Sequence, residues 1–468
     1  MGFKKKLYKL NPEKENKKEE IEVQVTKRDK KRIKVDLQSN ERSFRENLSN
    51  KVSSTLVGLW FLVAEHLCLG SWDLIKAYTG SQDYDIAPRI AMQITNEAAI
   101  CKNRVRKKNY ISHQGFELLN GLGFLVSDEE VHNFLNKHTV SEAQSLQESL
   151  SLIRSNNGHY KGEIIAIDPH RIISTSKRIM PKKKKQPKEP SRKMLQTFFA
   201  LDTETGQPIG CGIGAPGVNT TKATIDLLNM VNMINNKKAL ILADKEHFTQ
   251  NLTSDIKHKD QFELLVPVLS NTRMQKIERS LTYKSQWAGY AIDETTFKFR
   301  GSKEEYRLIV QREGEIESQY KYKSFLTISH KPAVTLLSET YDKRWSIEDF
   351  FNFDGAMGFD RASTFNLNIR YGKMSLALLS QAATYQFRQK LPKPYDRWNA
   401  THLADAVFSK IDGDIRVKDD TIIVTCYNLP KELNLQNYYE NLPNKLEAEG
   451  IDPRVPWLYN FKVDFRFK

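Results

Sequence analysis

The amino-acid sequence predicts an α/β protein: a mixed sheet flanked by helices, with an all-helical domain before it and a β-rich subdomain inserted into it. Three observations carry this expectation. Apolar residues recur at helical spacing up to about residue 155, they gather from Glu163 onward into continuous runs of strand length, and two of those runs end in an aspartate. A chain of 468 residues has room for two to four domains at roughly 100 to 200 residues each. With hydrophobic residues at 39% of the total, disorder throughout is excluded.

Residues 1–40 hold 13 Lys or Arg against 7 Asp or Glu and few apolar side chains, which predicts a basic mobile arm. The helical domain is expected over 41–155. Residues 54–79 read as an apolar helix, a break at Leu69-Gly70-Ser71 and a second helix from Trp72. That is the outline of a DNA-reading unit, but the first helix is apolar nearly all round, which favours plain core packing. Ser127 with Glu130 writes a capping box, followed by Val131, Phe134 and Leu135 at helical spacing.

The core begins in 156–261. GEIIAID, MLQTFFALD and PIGCGIG read as strands, ATIDLLNMVNMIN as a helix and ALILAD as a buried strand. Residues 262–330 are expected to form the inserted β subdomain, and 331–391 the second part of the core, helical at 338–353 and 366–391. Residues 392–468 form a C-terminal region assigned to dimerisation.

Several function classes are excluded at this stage. The longest apolar run, Leu56 to Ala64, is far short of the roughly 20 residues that span a bilayer, so no membrane association is expected. The N-terminus lacks the apolar stretch of a signal peptide. Cys68, Cys101, Cys211 and Cys426 stand too far apart for a zinc pair or a disulfide framework, which suits a reduced cytoplasmic protein.

The formal net charge is +15. Residues 171–193 carry 10 basic residues against Glu189 alone, in a loop that includes Lys182, Lys183, Lys184 and Lys185, and KNRVRKK at 102–108 adds five more. One such run is commonly a solvated face; three of them favour a nucleic-acid partner, because each cation set on a phosphate releases a condensed counterion.

Asp168 and Asp244 each end an apolar strand, where ligands of open α/β sheets bind. Glu348 lies on a predicted helix that shares one face with Tyr341 and Arg344. Each acid alone reads equally as a strand end or a cap, and Arg344 with Glu348 as a surface ion pair. Together they suit hard divalent cations, two Mg²⁺ with Mn²⁺ as substitute, acting on a phosphodiester. His170 and His247, close to these acids, are expected to support them by hydrogen bonding more than to bind metal. Trp345 is expected in the core, whereas Trp287 is a candidate for stacking on a base.

These stretches resemble a known family. AIDPHR at 166–171, QTFFALDTETGQP at 196–208, LADKEHF at 242–248, WAGYA at 287–291, YDKRWSIEDFF at 341–351 and NLNIRYGKM at 366–374 resemble the bacterial insertion-sequence transposases of the DDE type marked by a Tyr-x2-Arg-x3-Glu-x6-Lys signature. The resemblance implies an RNase H-like core with Asp168, Asp244 and Glu348 as catalytic, metal-binding acids and Tyr341 and Arg344 on DNA phosphates. It implies cut-and-paste transposition through metal-dependent cleavage and joining of double-stranded DNA, by a homodimer on paired element ends. One position departs from the signature: Gly355 stands where the Lys is expected, leaving Arg361 or Lys373 to supply that contact. Two other readings fit parts of the sequence. Asp202 and Glu204 in DTETG have the form of a 3′ to 5′ exonuclease, but His402 and Asp405 match its later acids poorly, and Thr203 to Gln207 reads as a hairpin turn. The missing Lys also fits an inactive relic that still binds DNA ends.

Overall fold

The structure, a computed structural model, describes residues 37–83, 85–102, 115–174, 182–183, 190–214, 220–235, 237–360 and 364–468. The basic arm up to residue 36, nearly all of the 102–108 cluster, Lys184, Lys185 and Arg361 lie outside the described residues, as does the side chain of Lys183.

The N-terminal region is built from α1 (Leu37–Ser49), α2 (Leu62–Cys68), α3 (Ser71–Thr79), α4 (Ala87–Ala99), α5 (Asp128–Lys137) and α6 (Val140–Asn156). Helix α1 begins inside the stretch expected as an arm; Asn40 is buried there, donating to Gly121 O and accepting from Gly123 N–H. The Ser127 capping box forms at α5, and Thr139 with Glu142 makes a second one at α6. Gly70 turns the chain between α2 and α3 at φ +59°, and Leu62 to His66 are all buried, so this helix pair serves packing.

Among the described residues the region is helical except for one strand, β1 (Val52–Ser54), which joins a sheet formed far along the chain. Its partners are β12 (Gly413–Lys418), β13 (Thr421–Cys426), β14 (Arg454–Val455) and β15 (Phe461–Phe467), in the order β1-β12-β13-β15-β14. Phe61 stacks on Phe465, and Trp457 Nε1 donates to Leu119 O. Gly121 meets the Trp457 carbonyl so closely, at φ +69°, that a Cβ would sit 1.9 Å from its oxygen. The C-terminal residues thus complete the core of the N-terminal helices.

Among the described residues the larger sheet has ten strands. Strands β2 (Ile164–Ile173), β4 (Arg192–Asp202) and β5 (Gln207–Gly214) run antiparallel, while β6 (Ala239–Ala243) and β7 (Phe262–Pro267) lie parallel to β2. This order, β5-β4-β2-β6-β7, is RNase H-like, as the resemblance implies. Helices α7 (Thr220–Ile234) and α8 (Gln250–Lys259) cover one face. Within 171–193, β3 (Lys182–Lys183) pairs with the start of β4, so part of that expected loop is a ladder.

The inserted strands β8 (Lys284–Trp287), β9 (Tyr290–Lys298), β10 (Glu305–Glu313) and β11 (Lys321–Thr327) extend this sheet instead of forming one of their own, because β11 pairs antiparallel with β7. Phe262–Pro267 is therefore a core strand, and the insert also contains a helix, α9 (Thr272–Ser280).

A helical stretch from Thr335, π-helical to Thr340 and 3-10 from Tyr341 to Trp345, continues into α10 (Ser346–Asp354). It crosses the second face, beside the long α11 (Leu367–Gln389). The end of α10 is held by a buried pair, Asp354 with Arg388 of α11 at 2.5 Å. Gln381 donates to the same carboxylate and accepts from Arg154 of α6.

His66 sits in the shared core with Nδ1 2.9 Å from Ser71 Oγ, and burial lowers its pKa to about 4. The unfolded chain binds a proton at His66 below about 6.5 and the folded chain does not until about 4. Its stabilising effect is therefore complete above pH 6.5 and declines as the pH falls towards 4. By urea denaturation, His66→Gln should reduce the loss of stability between pH 7 and pH 5 by about 2 kcal/mol. An equal loss in both proteins would contradict a neutral, buried His66.

Candidate active site

Residues two apart on a strand share a face. On β2, Ile164, Ala166 and Asp168 point one way, while Ile165 and Ile167 pack against α7 and α8. On β6, Leu240 and Leu242 point to that first face and Ile241 and Ala243 away from it, so Asp244, one residue on, returns to the face of Asp168. The parallel register pairs Ile167 with Ala243, which places Asp168 and Asp244 side by side at the next step. Asp244 also caps the 3-10 turn Lys245–His247, accepting from Lys245 N–H at 2.6 Å.

Leu336, Leu337 and Tyr341 pack on Leu240 and Leu242 and fix the third helical element over this face. Tyr341 is buried and its hydroxyl donates to Ala243 O at 3.4 Å. Burial is the main cause of its pKa rising to about 12. Arg344, 8% exposed, bridges the site: Nη2 donates to Glu348 Oε1 at 3.0 Å and Nη1 stands 3.8 Å from Asp168 Oδ1. Its Nε is buried with no hydrogen-bond partner.

Asp168 has its pKa raised to about 7, chiefly by burial, with Asp244, Glu348 and Glu246 adding to the rise and Arg344 opposing it. A like-charged cluster of this kind favours a proton or a cation. The donor set is hard oxygen, which fits a divalent ion of the Mg²⁺ type. Among the described residues no group of three such side chains is yet drawn together as a metal cage; Arg344 supplies the local positive charge.

The other sequence candidates are placed as follows. His170 stacks on Phe351 at 3.8 Å between centroids, and His247 is buried with Nδ1 3.3 Å from Asp244 O. Trp345 is not in the core: it is 55% exposed, with the Arg344 guanidinium over its ring, because the 3-10 turn rotates it outward. Trp287 is 49% exposed and stacks on Tyr290 near the edge of the inserted strands. Lys182 is exposed on β3. Lys373 lies near His132 of α5, whose pKa is lowered by burial and by that ammonium. Gly355 is buried in a turn after α10. Sequence reasoning missed Arg171 and Glu246, which pair beside Asp168 and Asp244; both lie in the quoted motifs, at AIDPHR and LADKEHF.

Asp202 is fully buried and saturated. Its Oδ2 accepts from Lys161 and Gly162 N–H, its Oδ1 from Glu204 and Thr205 N–H and the Thr205 hydroxyl. That is a turn anchor with no lone pair left over for a metal, which removes the basis for the exonuclease reading.

The sheet order is RNase H-like, with two aspartates on neighbouring strands and a glutamate on a helix over the same face. Residues 159–381 match the family described as "Transposase DDE domain", and over that stretch the chain is similar to DDE transposases. No curated protein sequence matches. Among solved structures, a piggyBac transposase synaptic complex with hairpin DNA aligns at 12% identity over 74% of this chain and 79% of that one, with a TM-score of 0.41. A Mos1 transposase paired-end complex with the left transposon end aligns at 14% identity over 39% and 58%, with a TM-score of 0.16. Likenesses this distant carry no argument about the site.

Asp202→Ala should destabilise the protein by at least about 2 to 4 kcal/mol, since several buried N–H groups lose their acceptor. Urea denaturation measures this. A variant of wild-type stability would show that Asp202 is not the anchor of this turn.

Proposed function

We propose that this chain is a DNA transposase of the bacterial insertion-sequence group with the Tyr-Arg-Glu-Lys signature, cutting element ends and joining them to target DNA. The observation that carries the reading is the meeting of Asp168, Asp244 and Glu348 on one face, with Arg344 spanning two of them. Asp168, Asp244 and Glu348 would hold two Mg²⁺ ions, with Mn²⁺ as substitute, which supply charge to activate a water and to stabilise the leaving oxygen.

The chain's own residues do the positioning. Arg344, with one N–H already unpaired, turns from the carboxylates to the scissile phosphate, and Tyr341 packs beside it. Water attacks phosphorus and the bond to the 3′ oxygen breaks; the freed 3′ hydroxyl then attacks a phosphodiester of the target, releasing a target 3′ hydroxyl. Trp287, exposed beside Tyr290, stacks on an unpaired base. Lys182 to Lys185, Arg361 and Lys373 take backbone phosphates. The helical region binds element DNA, the C-terminal region supports a homodimer on paired ends, and the protein works in the cytoplasm on nucleoid DNA.

Asp168→Asn, Asp244→Asn and Glu348→Gln should each abolish Mg²⁺-dependent cleavage of element ends and leave DNA affinity within a few-fold, since affinity comes mainly from Lys and Arg on phosphates. Retained cleavage by any of the three would remove that acid from the site.

Arg344→Lys should keep the melting temperature and lose most single-turnover cleavage of pre-bound DNA, because an ammonium cannot reproduce a bidentate guanidinium. Wild-type rates would reduce Arg344 to an ion-pair partner of Glu348.

A further inference from the structure

The inserted strands carry a second basic surface, distinct from the loop at 171–193. Helix α9 presents Arg273, Lys276 and Arg279, and the β9–β10 hairpin presents Lys298, Arg300 and Lys303; all six are exposed. Arg273 joins the two elements, its Nη2 donating to Lys298 O at 3.0 Å, and a groove at the hairpin is lined by Arg273, Lys298 and Arg300, walled by Phe299 and turned at Gly301 with φ +80°; Lys276, Arg279 and Lys303 lie outside its lining. None of the six is paired with a described carboxylate.

Most nearby acids are committed elsewhere, while the exposed Glu305 stands opposite Lys298 in the β9–β10 ladder. Glu278 is buried and accepts from Ser324 Oγ, Glu294 pairs with Arg307, and Glu304 accepts from the Tyr306 hydroxyl and from Ser254. Unneutralised cations lining a concave surface raise the local concentration of a polyanion. The groove is tied to the candidate active site through Phe299, which packs on Phe248 at 5.1 Å, four residues beyond Asp244. Phe297 and Phe248 belong to the core under α7 and α8, so the groove opens on the side of the sheet opposite Asp168 and Asp244.

We propose that this groove binds the phosphate backbone of duplex DNA away from the scissile phosphate and without regard to sequence. The assignment rests on the transposase reading given above. Phosphate contacts carry it, since the groove offers charge and one apolar wall and Ser302 is its one uncharged polar lining side chain, with no Asn or Gln to read adenine.

The test compares the wild-type protein with a Lys276→Gln, Lys298→Gln, Arg300→Gln, Lys303→Gln variant, leaving Arg273 in place because it holds the hairpin. Binding to a random duplex is measured by fluorescence anisotropy across a salt series. The expected result is a slope of log K against log salt shallower by up to about 3.6, at about 0.9 per lost phosphate contact. The melting temperature and the cleavage of pre-bound element ends should stay unchanged. An unchanged slope overturns the proposal, and if binding to polyglutamate is lost at the same time the groove belongs to an acidic protein partner instead. Wild-type protein that binds no duplex at all would sink the transposase reading itself, an outcome distinct from an unchanged slope. Should the fourfold variant fail to fold, Arg300→Glu at the hairpin turn must flatten the slope by itself, and failure to do so is equally decisive.

Discussion

The parallel pairing of β2 with β6 is the constraint on which the site depends. Because Ile167 stands opposite Ala243, the next residue on each strand is an aspartate and both face the same way. A slip of one residue would turn one of them into the apolar core beneath α7 and α8. The apolar residues just before them, Ile165, Ile167, Ile241 and Ala243, hold the register by burial, so the same side chains that make the core also aim the carboxylates. Burial chiefly, with a smaller contribution from the neighbouring Asp244, Glu348 and Glu246, raises the pKa of Asp168 to about 7.

The third acid depends on a different kind of restraint. Glu348 is half-exposed on a short helix whose far end is tied down by the buried pair of Asp354 and Arg388, with Gln381 and Arg154 completing the network. A buried ion pair contributes little net stability, but losing one partner strands the other in the core. Here its effect is to fix one helix against α6 and α11, with the carboxylate of Glu348 poised one and a half turns earlier.

Much of this was legible in the sequence because it rests on periodicity. The strands at 164–173, 192–202 and 239–243, the capping box at Ser127 and the helices on either side follow from local patterns that burial then obeys. The two aspartates could be read as a pair because each ends such a run. What was not legible depends on long-range pairing. Nothing local in Val52–Ser54 says that it will join strands some 360 residues later, and nothing in 262–330 says that its strands will extend the core sheet through β7 and β11. Trp345 was misplaced for a related reason: its neighbours suggested a uniform helix, and the tighter 3-10 turn changed the direction of its side chain. The pairing of Arg171 with Glu246 was likewise invisible until two motifs were brought side by side.

The closing of the N-terminal core by the C-terminal strands has a consequence for how the chain is made. During synthesis the helices around Phe44, Phe61 and Trp72 emerge long before the faces they must bury against, at Tyr439, Trp457, Phe461 and Phe465. Domains that can fold as they are translated usually do so from the N-terminus. This one cannot close until those later residues are made, and its nascent helices wait with their apolar sides uncovered while the larger sheet is already assembling. A product terminated before Tyr439 would therefore hold Asp168, Asp244 and Glu348 in a molecule whose N-terminal core stays open.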